Sequence, residues 1–401
     1  MRRPPDRARR AAGVPRAERK GLEQDGRLLA RGEHRPVIEH LEEAEALAEL
    51  LGDQSRLCRV AAFLCISYGL VNDLEQGIKA GERALALAAS LEDIPLLAVA
   101  RTHLAGVHIR HGNYAPAREL LGANVELLDG ERARERFGMV GYPSVVSRSS
   151  LAWCLSEQGD FAQGIAHGRA GLELAEELGQ PYSLGHVTMS LGGAYLRRGD
   201  HARAIHLLER SLDITGDSHD LPTLSVAVLV LAQAYALAGR SDDALRLADG
   251  AHSAPLVSSV KAAEVFLLCG EVESAACAAQ DSLDGSRAVK NYVHEGWALQ
   301  LLGEIATRRS DFDEAEGRFH ESLMLAIRLG MRPLEAHCHL GLGKLFSRTG
   351  RLNEARAELS AAVGMLRAMG MAHWLPEAEG EFAAVAVDRS RVGLSSFHRS
   401  Q

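Results

Sequence analysis

Large and small apolar residues recur at fixed distances from one short polar turn, and this pattern runs through most of the chain. The turn reads Gly followed by an acidic residue, Asn or Arg. It stands at Gly32, Asn72, Gly112, Gly159, Gly199, Gly239, Gly270, Ser310 and Gly350, with gaps of 40, 40, 47, 40, 40, 31, 40 and 40 residues. Eight residues before the anchor comes Leu (Leu64, Leu104, Leu151, Leu191, Leu231, Leu302, Leu342), with Ala262 the exception. One position later the residue is small, as in Ala105, Ala152, Gly192 and Gly343. Four before the anchor it is mostly large, as in Tyr68, Leu155, Tyr195, Tyr235 and Phe346. Five after it the residue is small again, as in Gly77, Ala117, Gly164 and Ala355. Large residues four apart share one face of a helix. The pattern therefore predicts two antiparallel helices per unit, touching through their small residues. Gly ends the first helix in a left-handed cap, and the acidic residue after it caps the second.

This order of small and large positions resembles the tetratricopeptide repeat (TPR), whose usual period is about 34 residues. Six more residues per unit lengthen the helices. The resemblance implies an all-α fold, a TPR-like α-solenoid wound as a right-handed superhelix, in which each hairpin depends on its neighbours for burial. About eight full hairpins are expected over residues 29–387, after a partial first one and before a closing helix at 375–387. The 47-residue gap places an insertion around Gly130 to Val145, expected as a helix end plus an ordered loop over one face. The 31-residue gap removes nine residues around Asp249 to Ser259 and shortens the repeat there. Residues 1–28 are expected to be a disordered basic segment and 388–401 a disordered tail. Gln24 and Asp25 stand where other units have an apolar and a small residue, so the array begins within a hairpin. Its uncovered apolar face implies self-association or instability through that end.

Composition narrows the functional classes. A net charge of −8 gives no reason to expect nucleic acid, despite eight basic side chains among the first twenty residues. The six cysteines include no CxxC pair and read as buried small hydrophobes in a reducing compartment. The longest uncharged stretch, Leu221 to Gly239, carries Pro, Thr, Ser, Gln and Tyr and reads as a buried helix, not a membrane span. No apolar segment follows the Arg-rich start, so a cytoplasmic location is expected.

No catalytic or cofactor motif emerges. Gly341-Leu-Gly343-Lys344 lacks the earlier Gly and the following Ser or Thr of a phosphate-binding loop, with Cys338 and Leu345 in those places. His108 and His111 can share a helix face, but no Cys, Asp or Glu stands within a turn of either, and HExxH does not occur. Neither a cofactor nor a metal is expected. In TPR stacks the first helix of each hairpin lines the concave surface. There, two positions before the anchor, stand Arg110, Arg197, Arg308 and Arg348, with Lys344 a turn behind the last. This ridge is a candidate site for an acidic segment or a carboxylate of a partner. Equally, the arginines can serve as cations at helix C-termini.

A narrower resemblance rests on Gly330-Met-Arg-Pro-Leu-Glu-Ala-His-Cys-His-Leu-Gly-Leu-Gly-Lys-Leu-Phe346 with Arg348-Thr-Gly350, on Gly296 to Ala306, on Arg136 to Leu155 and on Met369 to Trp374. These segments resemble the C-terminal TPR region of bacterial proteins that join an adenylate/guanylate cyclase domain, an AAA-type ATPase domain and a TPR array. The resemblance implies a non-enzymatic scaffold or regulatory module for a protein or peptide partner, one bearing a cyclase or ATPase, with no nucleic acid or membrane involved. No residue of the chain inherits a catalytic role. The alternatives are a sensor holding a small ligand or peptide in its groove, as in transcription regulators, and an intact enzyme, for which the motifs are missing.

Overall fold

A computed structural model describes residues 34–216, 221–250 and 257–397. The basic segment 1–28 and the anchor Gly32 lie outside the described residues. Eighteen α-helices and one 3₁₀ turn follow one another among the described residues, with no strand. A leading helix, α1 (His34–Leu51), precedes eight hairpins. These are α2 (Gln54–Leu70) with α3 (Leu74–Ser90), α4 (Ile94–His111) with α5 (Tyr114–Leu127), α6 (Pro143–Glu157) with α7 (Phe161–Leu178), and α8 (Pro181–Arg198) with α9 (His201–Gly216). Then come α10 (Leu221–Leu237) with α11 (Ser241–Gly250), α12 (Val257–Leu268) with α13 (Val272–Ala288), α14 (Tyr292–Arg308) with α15 (Phe312–Leu329), and α16 (Arg332–Arg348) with α17 (Leu352–Met369). The closing helix α18 runs from Leu375 to Phe397, ten residues past the end that the apolar pattern sets at Val387. Residues 388–397 contain no proline, and the one glycine there, Gly393, weakens a helix by only about 1 kcal/mol.

Each described anchor turn is left-handed. Gly112, Gly159, Gly199, Gly239, Gly270 and Gly350 have φ between 76° and 95°, and Asn72 and Ser310 adopt 60° and 63°. The following acid closes the next helix: Asp73 accepts from the Gln76 amide, Asp160 from Gln163 and Asp311 from Glu314. The small positions bring helix axes together. A Cβ on Gly343 would lie 2.5 Å from Leu359 Cγ, so α16 and α17 meet there backbone to side chain.

The first helices of successive hairpins pack directly on one another, whereas second helices mainly touch first ones. The stack therefore curves with its first helices inside. The insertion turns once as a 3₁₀ helix (Gly130–Arg134) and then folds back over the first two hairpins, where Phe137 and Met139 pack on Ala61, Ala84 and Val99. The deletion leaves α11 and α12 with 10 and 12 residues, against 17 in α10 and α13.

Curvature brings distant repeats into contact. The turn at Asn72 meets Asn291 (3.5 Å), and Lys290 donates to Glu75 at 2.6 Å. Leu329 and Val293 pack against Gly112, Met369 and Arg332 against Gly159, and His373 against Gly199. Each of the first four described anchor turns thus touches the part of the stack five places further on. One superhelical turn takes about five hairpins, and successive turns meet edge to edge, closing the concave groove into a bore.

Candidate functional site

The inner face of the bore is the strip of first-helix side chains that meet across the superhelix. Glu157, at the end of α6, is 2% exposed and forms an ion pair with Arg197 of α8, Oε1 to Nη2, at 2.7 Å. The Arg197 guanidinium lies 4.8 Å from the centroid of the Trp297 ring, on α14. Trp297 meets His337 of α16 edge-on at 5.9 Å, and His337 meets Trp374 at 5.2 Å. On the other flank, Lys261 of α12 stands 6.0 Å from the Trp153 ring of α6. Trp153 lies over α8 at Gly193, with 3.4 Å between ring and Cβ position. All three tryptophans of the chain fall on this strip.

Arg110, Lys261, His294 and His337 are only half-buried by surface, yet protein surrounds them closely. Their titration reflects that. Burial pushes the Lys261 ammonium down to about 8, with Arg197 adding repulsion and Glu264 opposing it. His294 falls to about 3, first through burial and then through Lys261, Arg110 and Arg197, which all bear on it. His337 falls to about 4 by burial and Arg197. Burial raises the carboxyls of Glu264 and Glu304 above the usual range, and it lowers Arg110. At neutral pH both histidines are neutral and Lys261 is a cation.

Several polar atoms here are buried without a protein partner: Tyr114 OH, Glu157 Oε2, His294 Nδ1 and Trp297 Nε1. Folded interiors pair the great majority of such groups, and each one left alone costs about 1–3 kcal/mol.

The arginine ridge divides. Arg110 and Arg197 come together around His294. Arg308 instead donates to the Leu267 carbonyl at 2.8 Å, and Arg348 to the Thr307 carbonyl at 3.4 Å, each satisfying the C-terminus of the preceding first helix. Lys344 pairs with Glu377 at 2.5 Å. Gly341-Leu-Gly343-Lys344 lies inside α16, where Gly343 is a packing position. Cys58, Cys65, Cys154 and Cys338 are buried and Cys269 is half-buried, but Cys277 is exposed on α13, contrary to the expectation that all six are buried. Among the described residues no cluster of His, Cys, Asp and Glu could hold a metal, and no helix is long and apolar enough to cross a membrane. Two clefts of about 340 and 480 Å³ lie off this strip. In each a cation and a carboxylate already pair, Arg240 with Asp243 (2.7 Å) in one and Lys290 with Glu75 (2.6 Å) in the other.

Sequence reasoning found the ridge two residues before the anchor and missed the rest of the same face. Trp153 stands six residues before its anchor, Lys261 nine, Trp297 and His337 thirteen. Spacings of two, six, nine and thirteen describe one helical stripe, so the signal was present.

Residues 143–217 match the family model of the tetratricopeptide repeat. The fold is a TPR-like α-solenoid. Among solved structures, the chain is similar to a Rap protein complexed with competence and sporulation factor, at 13% sequence identity over 77% of this chain and 97% of that one, with a TM-score of 0.53. It is also similar to aspartyl phosphate phosphatase F from Bacillus subtilis (16% identity, 79% and 86% covered, TM-score 0.49). The apo form of the quorum sensor NprR from B. thuringiensis shows 12% identity, with 82% and 97% covered and a TM-score of 0.45. At such identities the likeness concerns the fold alone. Among curated proteins none matches the chain in sequence.

Proposed function

We propose that the chain is a non-catalytic regulatory module that holds a segment of a protein or peptide partner in its bore. The observation that carries this reading is the convergence of Trp153, Trp297 and Trp374 on one inner strip with Arg197, Lys261 and His337. Tryptophan and arginine in a concave, partly desolvated surface are the side chains that anchor bound segments elsewhere. The Rap protein of similar fold forms a complex with competence and sporulation factor, which supports a role of this kind for such a stack. The resemblance around Gly330 to Phe346 favours a partner that bears a cyclase or ATPase. Self-association through α1, whose Leu47, Leu50 and Leu51 are exposed, belongs to the same reading, and sedimentation velocity reads it.

Selection from a displayed random-peptide library on the full chain tests the reading, with tryptophan fluorescence as readout. Selected peptides are expected to change the emission and to lose binding to Trp297→Leu. Binders that leave the emission unchanged and survive that substitution would place recognition elsewhere. Incubated with ATP or GTP, the pure chain is expected to give no product; turnover would overturn the non-catalytic assignment.

A further inference from the structure

The inner strip is unevenly charged. Among the described residues, Arg110 has no carboxylate within hydrogen-bonding reach, and Lys261 has only its contact with the Trp153 ring and longer-range attraction to Glu264 and Glu157. Arg197 is ion-paired with Glu157, the only carboxylate among the described residues that pairs with any of the three. The cations come from α4, α8 and α12, in hairpins far apart along the chain, and the bore gathers them about His294 of α14. Beside them lie the unpaired donors Trp297 Nε1 and Tyr114 OH, the unpaired His294 Nδ1 and one unpaired acceptor, Glu157 Oε2. Tyr114 and Glu157 are each 2% exposed. Buried donors beside uncompensated cations call for an anion with more than one acceptor oxygen. The lone Glu157 oxygen calls for a donor adjacent to it, such as a backbone N–H. A carboxylate carried on a peptide supplies both.

We propose that Arg110, Lys261 and Arg197, with Trp297 Nε1 and Tyr114 OH, form a receptor for a carboxylate of the bound peptide, seated between Trp153 and Trp297. This rests on the reading of the bore as a peptide-binding groove. It adds the chemistry of the ligand: an acidic side chain or a free C-terminus, near a backbone amide that donates to Glu157. Arg308, Arg348 and Lys344 are outside the receptor, since each is engaged by the fold.

The test uses the full chain and random heptapeptide pools made in four versions: with an acidic residue and a free C-terminus, acidic and amidated, non-acidic and free, and non-acidic and amidated. Retention of the carboxylate-bearing pools about tenfold above the neutral amidated pool is expected. The two middle pools separate side-chain from terminal carboxylate. Lys261→Met and Arg110→Gln are each expected to lower that retention about tenfold or more, as for loss of one partner in a buried charged contact. Arg348→Gln, with the same change of charge, is expected to leave it unaltered. Thermal melts of the variants confirm folding, and Lys261→Met, which removes an unpaired cation, is expected to melt no lower than the parent. Equal retention of neutral pools, still sensitive to Trp297→Leu, would overturn the carboxylate receptor while leaving the groove reading standing. Equal loss in Arg348→Gln would reduce the effect to net charge and also overturn it. Retention of no pool at all would overturn both.

Discussion

His103 is 7% exposed on α4, with Nδ1 2.8 Å from the Ala62 carbonyl and the Phe63 ring edge-on at 5.5 Å. Burial lowers its pKa to about 4, the hydrogen bond opposing only in part. An unfolded chain protonates the same ring near 6.5, so between these values the unfolded state binds a proton that the folded state refuses. The stability from a neutral His103 is thus complete above about pH 6.5 and drains as pH falls toward 4, by about 1–3 kcal/mol. Urea midpoints at pH 7.5 and 4.5 read this. The parent is expected to lose more between the two than His103→Gln, whose amide keeps a donor for Ala62 but cannot titrate in this range. Equal losses would remove His103 as a source of acid sensitivity. At the same scale, half of the site was legible. Arg110 and Arg197 stand at a repeat position that any register exposes, whereas Lys261 and Trp153 become neighbours only because α12 comes round to face α6. No local pattern encodes that meeting, since it depends on curvature summed over three hairpins.

Among the helices, glycine acts in two opposite ways. Gly343 is buried in α16 with Leu359 of α17 against it, and a Cβ there would meet both the side chain at 2.5 Å and the backbone nitrogen at 3.2 Å. Backbone cannot step aside, so Gly343→Ala is expected to destabilise by about 1–3 kcal/mol, the cost of overpacking. Gly317 sits exposed within α15 with nothing near its missing Cβ. There the same substitution gains helix propensity, about 0.5–1 kcal/mol of stabilisation. Thermal melts of the two variants should move in opposite directions; movement in the same direction would sink the packing argument. The anchor pattern made these elements readable because hairpin caps and small positions are local requirements. Helix ends without such punctuation were less so. Nothing between Asp388 and Phe397 stops α18, and the weakening of its apolar period at Val387 was not a terminus.

An open helical-repeat array has nearest-neighbour contacts only, so its ends can unfold separately. This chain also has a seam between superhelical turns, which couples the first four hairpins to the part of the stack five places on. The seam's ion pair, Lys290 with Glu75, is exposed on both sides, at 58% each, so water screens it and leaves it little to contribute. Its apolar part is the stronger candidate for holding the turns together: Leu329 against the bare backbone of Gly112, and Met369, 6% exposed, against Gly159. Glu75→Lys alone should therefore leave the melt nearly where it is. Leu329→Glu with Met369→Glu places charge on both seam contacts, and a carboxylate there can regain water only if the turns part. The hairpins on either side keep their own cores, so the helical content should persist while the bore opens. Small-angle scattering is expected to show a larger radius of gyration for the double variant, with tryptophan emission shifted to the red as Trp297 loses Arg197, its partner from the other turn, to solvent. The unfolding transition should broaden as the stack reverts to nearest-neighbour coupling. An unchanged scattering profile with a merely lower melting point would mean that the bore is held by curvature within the stack, with the seam a consequence of it.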